Sequence, residues 1–394
     1  MLPEGWNRAT VADVCSFQNG HGFGPEDWDD KGFPIIRIQN LNGGKKFDYF
    51  SGTPEAEWIV HSGQLLFAWA GTRGVSFGPT VWRGPTGVLN QHIFKVTANT
   101  DVQEGWLYWA LRHVTDRVER NAHGFKDTLV HVKKSDIERQ SVSVPSPEDQ
   151  KRISATLDTW DAAIATTERL LANSREQCSV LAQKLMSGRT RQKGTLAWKK
   201  RTLSELMRES RVLGSGGHEA RKLTVKLYAK GVIEKSSRGA GSESTQYYRR
   251  SAGQFIYSKL DFLNGAFGLV PAELDGYEST LDLPAFDLLP DVDARWLLYF
   301  VSREEFYRSQ LGLANGGRKA RRVNPKDLLQ IAIPVPGIME QQAIADALDL
   351  AWKIARDDEA QLRSLRIEKS ALMQQLLTGK RRVCLPAATE AVAC

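Results

Sequence analysis

The sequence predicts an α+β protein: two mixed α/β domains separated by two long antiparallel helices, the whole related by an internal pseudo-two-fold repeat. Three observations carry this. The stretch "VSVPSPEDQKRISATLD" (Val142–Asp158) returns 191 positions later as "IPVPGIMEQQAIADALD" (Ile333–Asp349). Each copy runs on through Glu148–Met186 or Met339–Leu377 without a single Pro or Gly, so nothing in either segment breaks a helix. Each copy is preceded by short apolar runs punctuated by Gly, Asn and Pro, the pattern of strands and turns.

The repeat extends well beyond those two stretches. Asp136 aligns with Asp327, Gln150 with Gln341, Ile153 with Ile344, and "KLMSGR" (Lys184–Arg189) with "QLLTGK" (Gln375–Lys380). Upstream, "SGQLLF" (Ser62–Phe67) meets "AGQFIY" (Ala252–Tyr257), Phe77-Gly78 meets Phe267-Gly268, and Trp6 meets Trp198. Self-similarity on this scale means that one structural unit is built twice. The boundaries follow: a first domain over 1–147, a helical region over 148–195, a second domain over 196–338, a second helical region over 339–380, and a tail over 381–394 expected to be disordered. In the fronts, "FPIIRIQNL", "GQLLFAWAG", "NQHIFKVTA", "QFIYSKL" and "FGLVP" read as strands. "EGWLYWALRHVTDRVER" and "DARWLLYFVSREEFYRSQ" read as helices.

The helical regions carry an a/d seam, with steps of three and four residues. In the first copy it runs Leu157, Trp160, Ile164, Thr167, Leu171, Ser174, Cys178, Leu181 and Leu185. In the second it runs Leu348, Ala351, Ala355, Asp358, Leu362, Leu365, Lys369, Leu372 and Leu376. A lone helix with such a stripe must bury it, and the other copy is the partner at hand. At 1.5 Å per residue each helix is about 58 Å long. Thr167 and Asp358, equivalent polar positions mid-seam, are candidate register markers.

Charge is unevenly placed. Residues 1–147 hold 15 basic and 16 acidic side chains, whereas 196–338 hold 22 and 16, net +6 of the chain's +7. Lys184–Arg211 alone has nine basic and two acidic residues. Such clusters suit phosphate backbones through counterion release. Two globules joined by helices of about 58 Å, roughly 17 base pairs, suit a linear polymer with a fixed repeat. The fronts share a frame but differ in most side chains, so two unlike half-sites with an unread gap are expected.

Several classes are excluded. No window approaches the roughly 20 apolar residues of a membrane span, and no secretory leader is visible, so a cytoplasmic protein is expected. The four cysteines lack paired spacing, which argues against a disulfide framework or zinc site. No G-x-x-x-x-G-K-[ST] loop occurs, and the seven histidines lack metal-ligand spacing, so neither a catalytic residue nor a metal site is assigned. His92 and His123 read as structural or base-contacting.

Side chains suited to bases and phosphates are Arg, Lys, Asn and Gln. The candidates in the first front are Lys45, Lys46, Arg73, Arg83, Gln91, Lys126 and Lys133, with Arg73 in the glycine-flanked "AGTRGVS". In the second they are Arg221, Lys222, Lys226, Arg238 and Lys259, together with Arg318, Lys319, Arg321 and Arg322 of the basic "GGRKARR". Trp69 and Trp82 are read first as core and only second as stacking platforms.

With "GQLLFAWAGTRGVSFGPTVWRGPTGVLNQHIFKV", "SKLDFLNGAFGLVPAELDG", "IPVPGIMEQQAIADALD" and "LMQQLLTGK" in view, the whole chain resembles the DNA specificity subunit of a type I restriction–modification enzyme. The resemblance is strongest over the later half of each front and its helix. Val212–Thr245 matches no pattern. The resemblance implies a non-catalytic subunit that binds double-stranded DNA and two modification subunits, which form an adenine methyltransferase using S-adenosylmethionine. Restriction subunits would add ATP- and Mg-dependent cleavage and translocation. No cofactor is then expected in this chain, and the target adenine would be flipped into the partner's pocket. A specificity subunit of another restriction–modification type, a stand-alone nuclease and a purely architectural coiled coil remain open.

Overall fold

The computed structural model of the 394-residue chain describes residues 2–121, 129–188, 197–236, 245–313 and 321–383, so most of the tail lies outside it. The chain divides into two compact units. One comprises Met1–Arg169 with Ala360–Cys394, the other Leu170–Glu359, so the division falls inside both long helices. Helix α1 (Glu104–Asn121) belongs to the first unit and α3 (Ala294–Val301) to the second; the long helices are α2 (Pro147–Met186) and α4 (Ile338–Leu377).

Both units build one frame. In the first, Asn7–Thr10 pairs antiparallel with Ser141–Val144; in the second, Lys199–Thr202 pairs with Ala332–Val335. The main sheet of the first unit has the order Cys15–Asn19, Ile93–Ala98, Leu65–Ala68, Gly78–Val81. The second repeats that order with Met207–Ser210, Ala285–Leu288, Phe255–Tyr257 and Phe267–Leu269. Most of these strands are apolar on the face covered by α1 or α3, and Trp106 and Trp296, 190 residues apart, are fully buried in the two cores.

The repeated polar residues explain themselves here. Buried Gln150 accepts from Gln103 N at 2.8 Å and donates to Pro145 O at 3.0 Å. Its counterpart Gln341 accepts from Asp293 N at 2.8 Å and donates to Pro336 O at 3.0 Å. One amide thus ties the entry of the long helix to the entry of the head helix in both units. Asp158 accepts from Trp109 Nε1 at 2.9 Å, and Asp349 from the Tyr299 hydroxyl at 2.6 Å. Trp6 and Trp198 donate their indole N–H to Asp149 and Glu340 at 3.1 and 3.0 Å.

The start of α2 is set locally. Pro147 occupies the first helical position, where a missing N–H costs nothing, and the Ser146 hydroxyl accepts from Asp149 N at 3.2 Å. The helices stop at Gly188 and Gly379, with φ of +62° and +71°. A Cβ at Gly379 would stand 2.6 Å from Pro3 Cδ, so close packing as well as φ demands glycine there.

Each unit pairs one half of α2 with one half of α4. In the first unit, Asp161 meets Lys369 and Glu168 meets Arg366 at 2.7 Å, an antiparallel arrangement. In the second, the Ser174 hydroxyl donates to Asp358 at 2.7 Å and Arg175 pairs with Glu359 at 3.1 Å. Leu157, Thr167, Leu171, Cys178, Leu348, Ala355, Leu362 and Leu376 are buried, and the other seam residues named above are half-buried. The heads share this burial: Leu157 and Leu376 belong to the first unit's core, Leu348 to the second's. Packing at these positions is therefore three-way, between head, its own helix and the opposite helix, rather than a helix pair alone. Of the two mid-seam polar residues, Asp358 bonds across to Ser174 while Thr167 bonds back to Ala163 O on its own helix.

Candidate nucleic-acid interface

In the first unit three of the expected contact residues come together around Trp69. Its indole N–H donates to Gln91 O at 3.1 Å, and its ring meets His92 and His131 edge-on at 5.3 and 4.7 Å. Val132 N donates to Trp69 O at 3.1 Å, which brings Lys133 alongside. The strand Ala70–Thr72, paired with Leu129–His131, leads directly into the Arg73 turn. That turn is tied down: Ser76 Oγ accepts from Thr72 N at 2.7 Å, and Glu119 of α1 accepts from Gly74 N at 2.9 Å. Gly74 is needed for its φ of +68°, with open space where a Cβ would stand. Gln91, Lys133 and Arg73 are exposed, and Trp69 is half-buried with Phe94 stacked beneath it at 6.0 Å. Trp69 is thus both a packing residue and the floor of a polar, basic surface. Trp82 is core, buried with its N–H donated to Pro85 O at 2.8 Å.

The other candidates of this unit lie elsewhere. Lys45 and Lys46 are exposed on a loop held by buried Asn40, whose amide donates to Gly44 O and Lys46 O at 3.1 and 2.9 Å. Arg83 lines a cavity of about 710 Å³ beside Arg112, Tyr108, Glu104, Asp158 and Asp161. Its cations there face carboxylates at the root of α2, a setting that balances the charge a phosphate would need.

In the second unit, cations are interleaved with aromatic rings. Arg221 lies 4.1 Å over the Tyr277 ring and donates to its hydroxyl, and Lys222 lies 5.4 Å over Tyr247. These rings border the sheet Leu213–Gly216, Gln246–Arg249, Glu278–Ser279. Glu278, buried in that sheet, accepts from Ser215 N and Oγ, both at 2.8 Å. Beneath it Arg250 is fully buried, donating to Ser279 Oγ at 2.7 Å, Ser210 O at 2.9 Å and Leu283 O at 3.3 Å. Burial pulls its pKa down to about 10, and Glu209, Tyr248 and Asp287 oppose that only in part. Arg250 is a structural cation that sequence reading missed; a lone Arg-Arg pair gives no sign of which member turns inward.

Lys226 is exposed at a hairpin tip. Lys259 is half-buried; its N–H donates to Asp282 O at 2.9 Å, and Asp282 also pairs with Arg322 at 3.4 Å. Arg322 therefore already has a carboxylate partner, whereas exposed Arg321 beside it has none among the described residues. Lys126, Arg238, Arg318, Lys319 and His123 lie outside the described residues. Among the described residues no His/Cys/Asp/Glu group is arranged to hold a metal, and no helix is long and apolar enough to cross a membrane.

Comparison with known proteins agrees with this reading of the fold. Residues 3–173 match the family model of the type I restriction modification DNA specificity domain. The type I restriction enzyme EcoBI specificity subunit of Escherichia coli is 26% identical over 174 residues, 43% of this chain and 35% of that protein. The putative type I restriction enzyme MjaX specificity subunit of Methanocaldococcus jannaschii is 22% identical over 97% of this chain and 95% of its own length. Among solved structures, the type I restriction-modification S subunit from M. genitalium superposes with a TM-score of 0.56 at 14% identity, covering 94% of this chain and 96% of that one.

Proposed function

We propose that this chain, whose residues 3–173 match the type I restriction modification DNA specificity domain and whose fold matches that of a solved S subunit, is a type I specificity subunit that reads an asymmetric, bipartite DNA site. The observation that carries the proposal is one frame built twice with unlike surfaces on it. Gln150/Gln341, Asp158/Asp349 and the two main sheets are the same construction. On that frame the first unit presents the Trp69 surface with Gln91, Lys133 and Arg73. The second presents Arg221 and Lys222 over tyrosine rings. Two readers of one build but different side chains suit two half-sites of different sequence, with Lys and Arg on phosphates and the polar tips on base edges. The long helices would set the unread gap.

In this reading the chain is a scaffold and leaves chemistry to partners: two modification subunits with S-adenosylmethionine, and restriction subunits with ATP and Mg, in the cytoplasm. One surface supports protein docking. Met339, Ala343, Ala347, Leu350 and Ile354 line a single face of α4, and the three large ones are 77%, 63% and 52% exposed. Exposed apolar stripes of that kind mark interaction sites. The equivalent positions on α2 are Glu148, Arg152, Thr156, Thr159 and Ala163, so the two helices would not dock partners through like surfaces. The test is methylation-sensitive sequencing of DNA from cells with and without this chain and its partners. One bipartite motif, methylated only with the chain, is the expected outcome; no motif, or a single undivided one, refutes the proposal.

A further inference from the structure

Among the described residues, only the hairpin Leu223–Val225/Val232–Glu234 places two consecutive non-glycine residues at positive φ. Its tip closes with Lys230 N donating to Leu227 O at 3.3 Å, and both central residues, Tyr228 and Ala229, have positive φ, +58° and +50°. Two consecutive left-handed residues make the turn that ordinarily takes Asn-Gly, because a side chain disfavours that backbone. Here it holds a tyrosine that is 64% exposed beside a leucine that is 39% exposed. The turn is clamped from below: Tyr228 N donates to Asn264 O at 3.0 Å and Ala229 N to Gly265 O at 2.7 Å. Leu223, Val225 and Val232 anchor the strands in a buried cluster. A rigid, disfavoured turn thus presents two large apolar side chains to solvent where small polar ones would be easier to hold.

Charge indicates what they meet. Arg221–Lys235 contains five basic residues and one acidic. Lys226 and Lys230, both exposed, flank the tip, and among the described residues neither ammonium has an ion-pair partner. A protein partner would match an apolar tip with apolar surface; flanking unpaired cations match a polyanion. We infer, on the strength of the DNA-reading function proposed above, that Leu227 and Tyr228 form a wedge that enters a base step of the second half-site, with Lys226 and Lys230 on the neighbouring phosphates. Apolar side chains inserted in this way unstack a step, and flexible pyrimidine–purine steps yield most easily. The tip would then contribute specificity through deformability, without a hydrogen bond to a base.

The test uses the full-length chain without modification subunits, so that no base-flipping enzyme is present, and a duplex carrying the target found by methylation mapping. 2-Aminopurine is moved step by step through the second half-site. Wild type should brighten at one step. Tyr228→Asn, which suits the left-handed backbone but lacks the ring, should stay dark there and bind about tenfold more weakly with an unchanged salt slope. Tyr228→Phe should behave as wild type. Lys226→Ala and Lys230→Ala should each reduce the salt slope by about one, on target and scrambled DNA alike. Wild-type affinity and brightening in Tyr228→Asn would overturn the wedge, as would a loss confined to capture of a protein partner. If wild type itself fails to prefer the target duplex, both the wedge and the function it rests on are overturned.

Discussion

At the scale of single residues, the repeated polar positions were legible and the individual ones were not. Gln150 and Gln341, or Asp158 and Asp349, stand out because the sequence writes them twice, and the structure gives each pair one hydrogen-bonding task. Arg250 occurs once, and its role depends on Ser210, Ser279 and Leu283, acceptors up to 40 positions away. Its removal takes the side-chain donor from the buried Ser210 carbonyl and one hydrogen bond each from the Ser279 hydroxyl and the Leu283 carbonyl, while leaving a void. Arg250→Met should therefore destabilise the second unit by about 3 kcal/mol, read as a lower denaturation midpoint. The neighbouring exposed Arg249→Ala should stay within about 0.5 kcal/mol of wild type. How the candidate contact residues assemble was the least legible of all. Arg73, Gln91 and Lys133 gather round Trp69 through strand pairing across some sixty residues, a contact that no local pattern announces. The tyrosines under Arg221 and Lys222 are likewise remote in sequence.

At the scale of elements, periodicity and breakers served well wherever the element is long. α2 and α4 run from Pro147 to Met186 and from Ile338 to Leu377, one residue longer at the start than their unbroken stretches imply, because proline suits the first helical position and Ile338 is no helix breaker. "FPIIRIQNL" divides into the strand Phe33–Ile36 and a short helix Ile38–Leu41. "DARWLLYFVSREEFYRSQ" divides too: α3 ends at Val301 and a separate helix runs Glu304–Ser309, with Arg303 extended between them. No glycine or proline marks that break. Packing of Phe300 against Phe306 at 5.7 Å, with Arg303 over the Phe300 ring at 4.0 Å, turns the chain there, and tertiary contacts of this kind leave no local sign. The exposed stripe on α4 makes a prediction at this scale. Replacing Leu350 and Ile354 together by Glu should weaken capture of the modification subunits at least tenfold in a pull-down. DNA affinity and the melting temperature of the chain should be left within error, since both side chains already face solvent.

At the scale of the molecule, the chain is modular: each unit carries its own sheet, core and surface, and the division between units falls within the helices rather than between a head and its helix. The repeat revealed the doubling, while the three-way packing of heads with both helices left no trace in it, because a seam residue such as Leu157 or Leu348 looks the same in sequence whether it meets a helix or a sheet. Exchanging residues 1–147 for the corresponding front of another specificity subunit, and mapping methylation in cells that supply the modification subunits, tests this most directly. The expected motif keeps one half-site and the gap unchanged and replaces the other half-site. A motif altered in both halves, or in the gap, would contradict the modular reader.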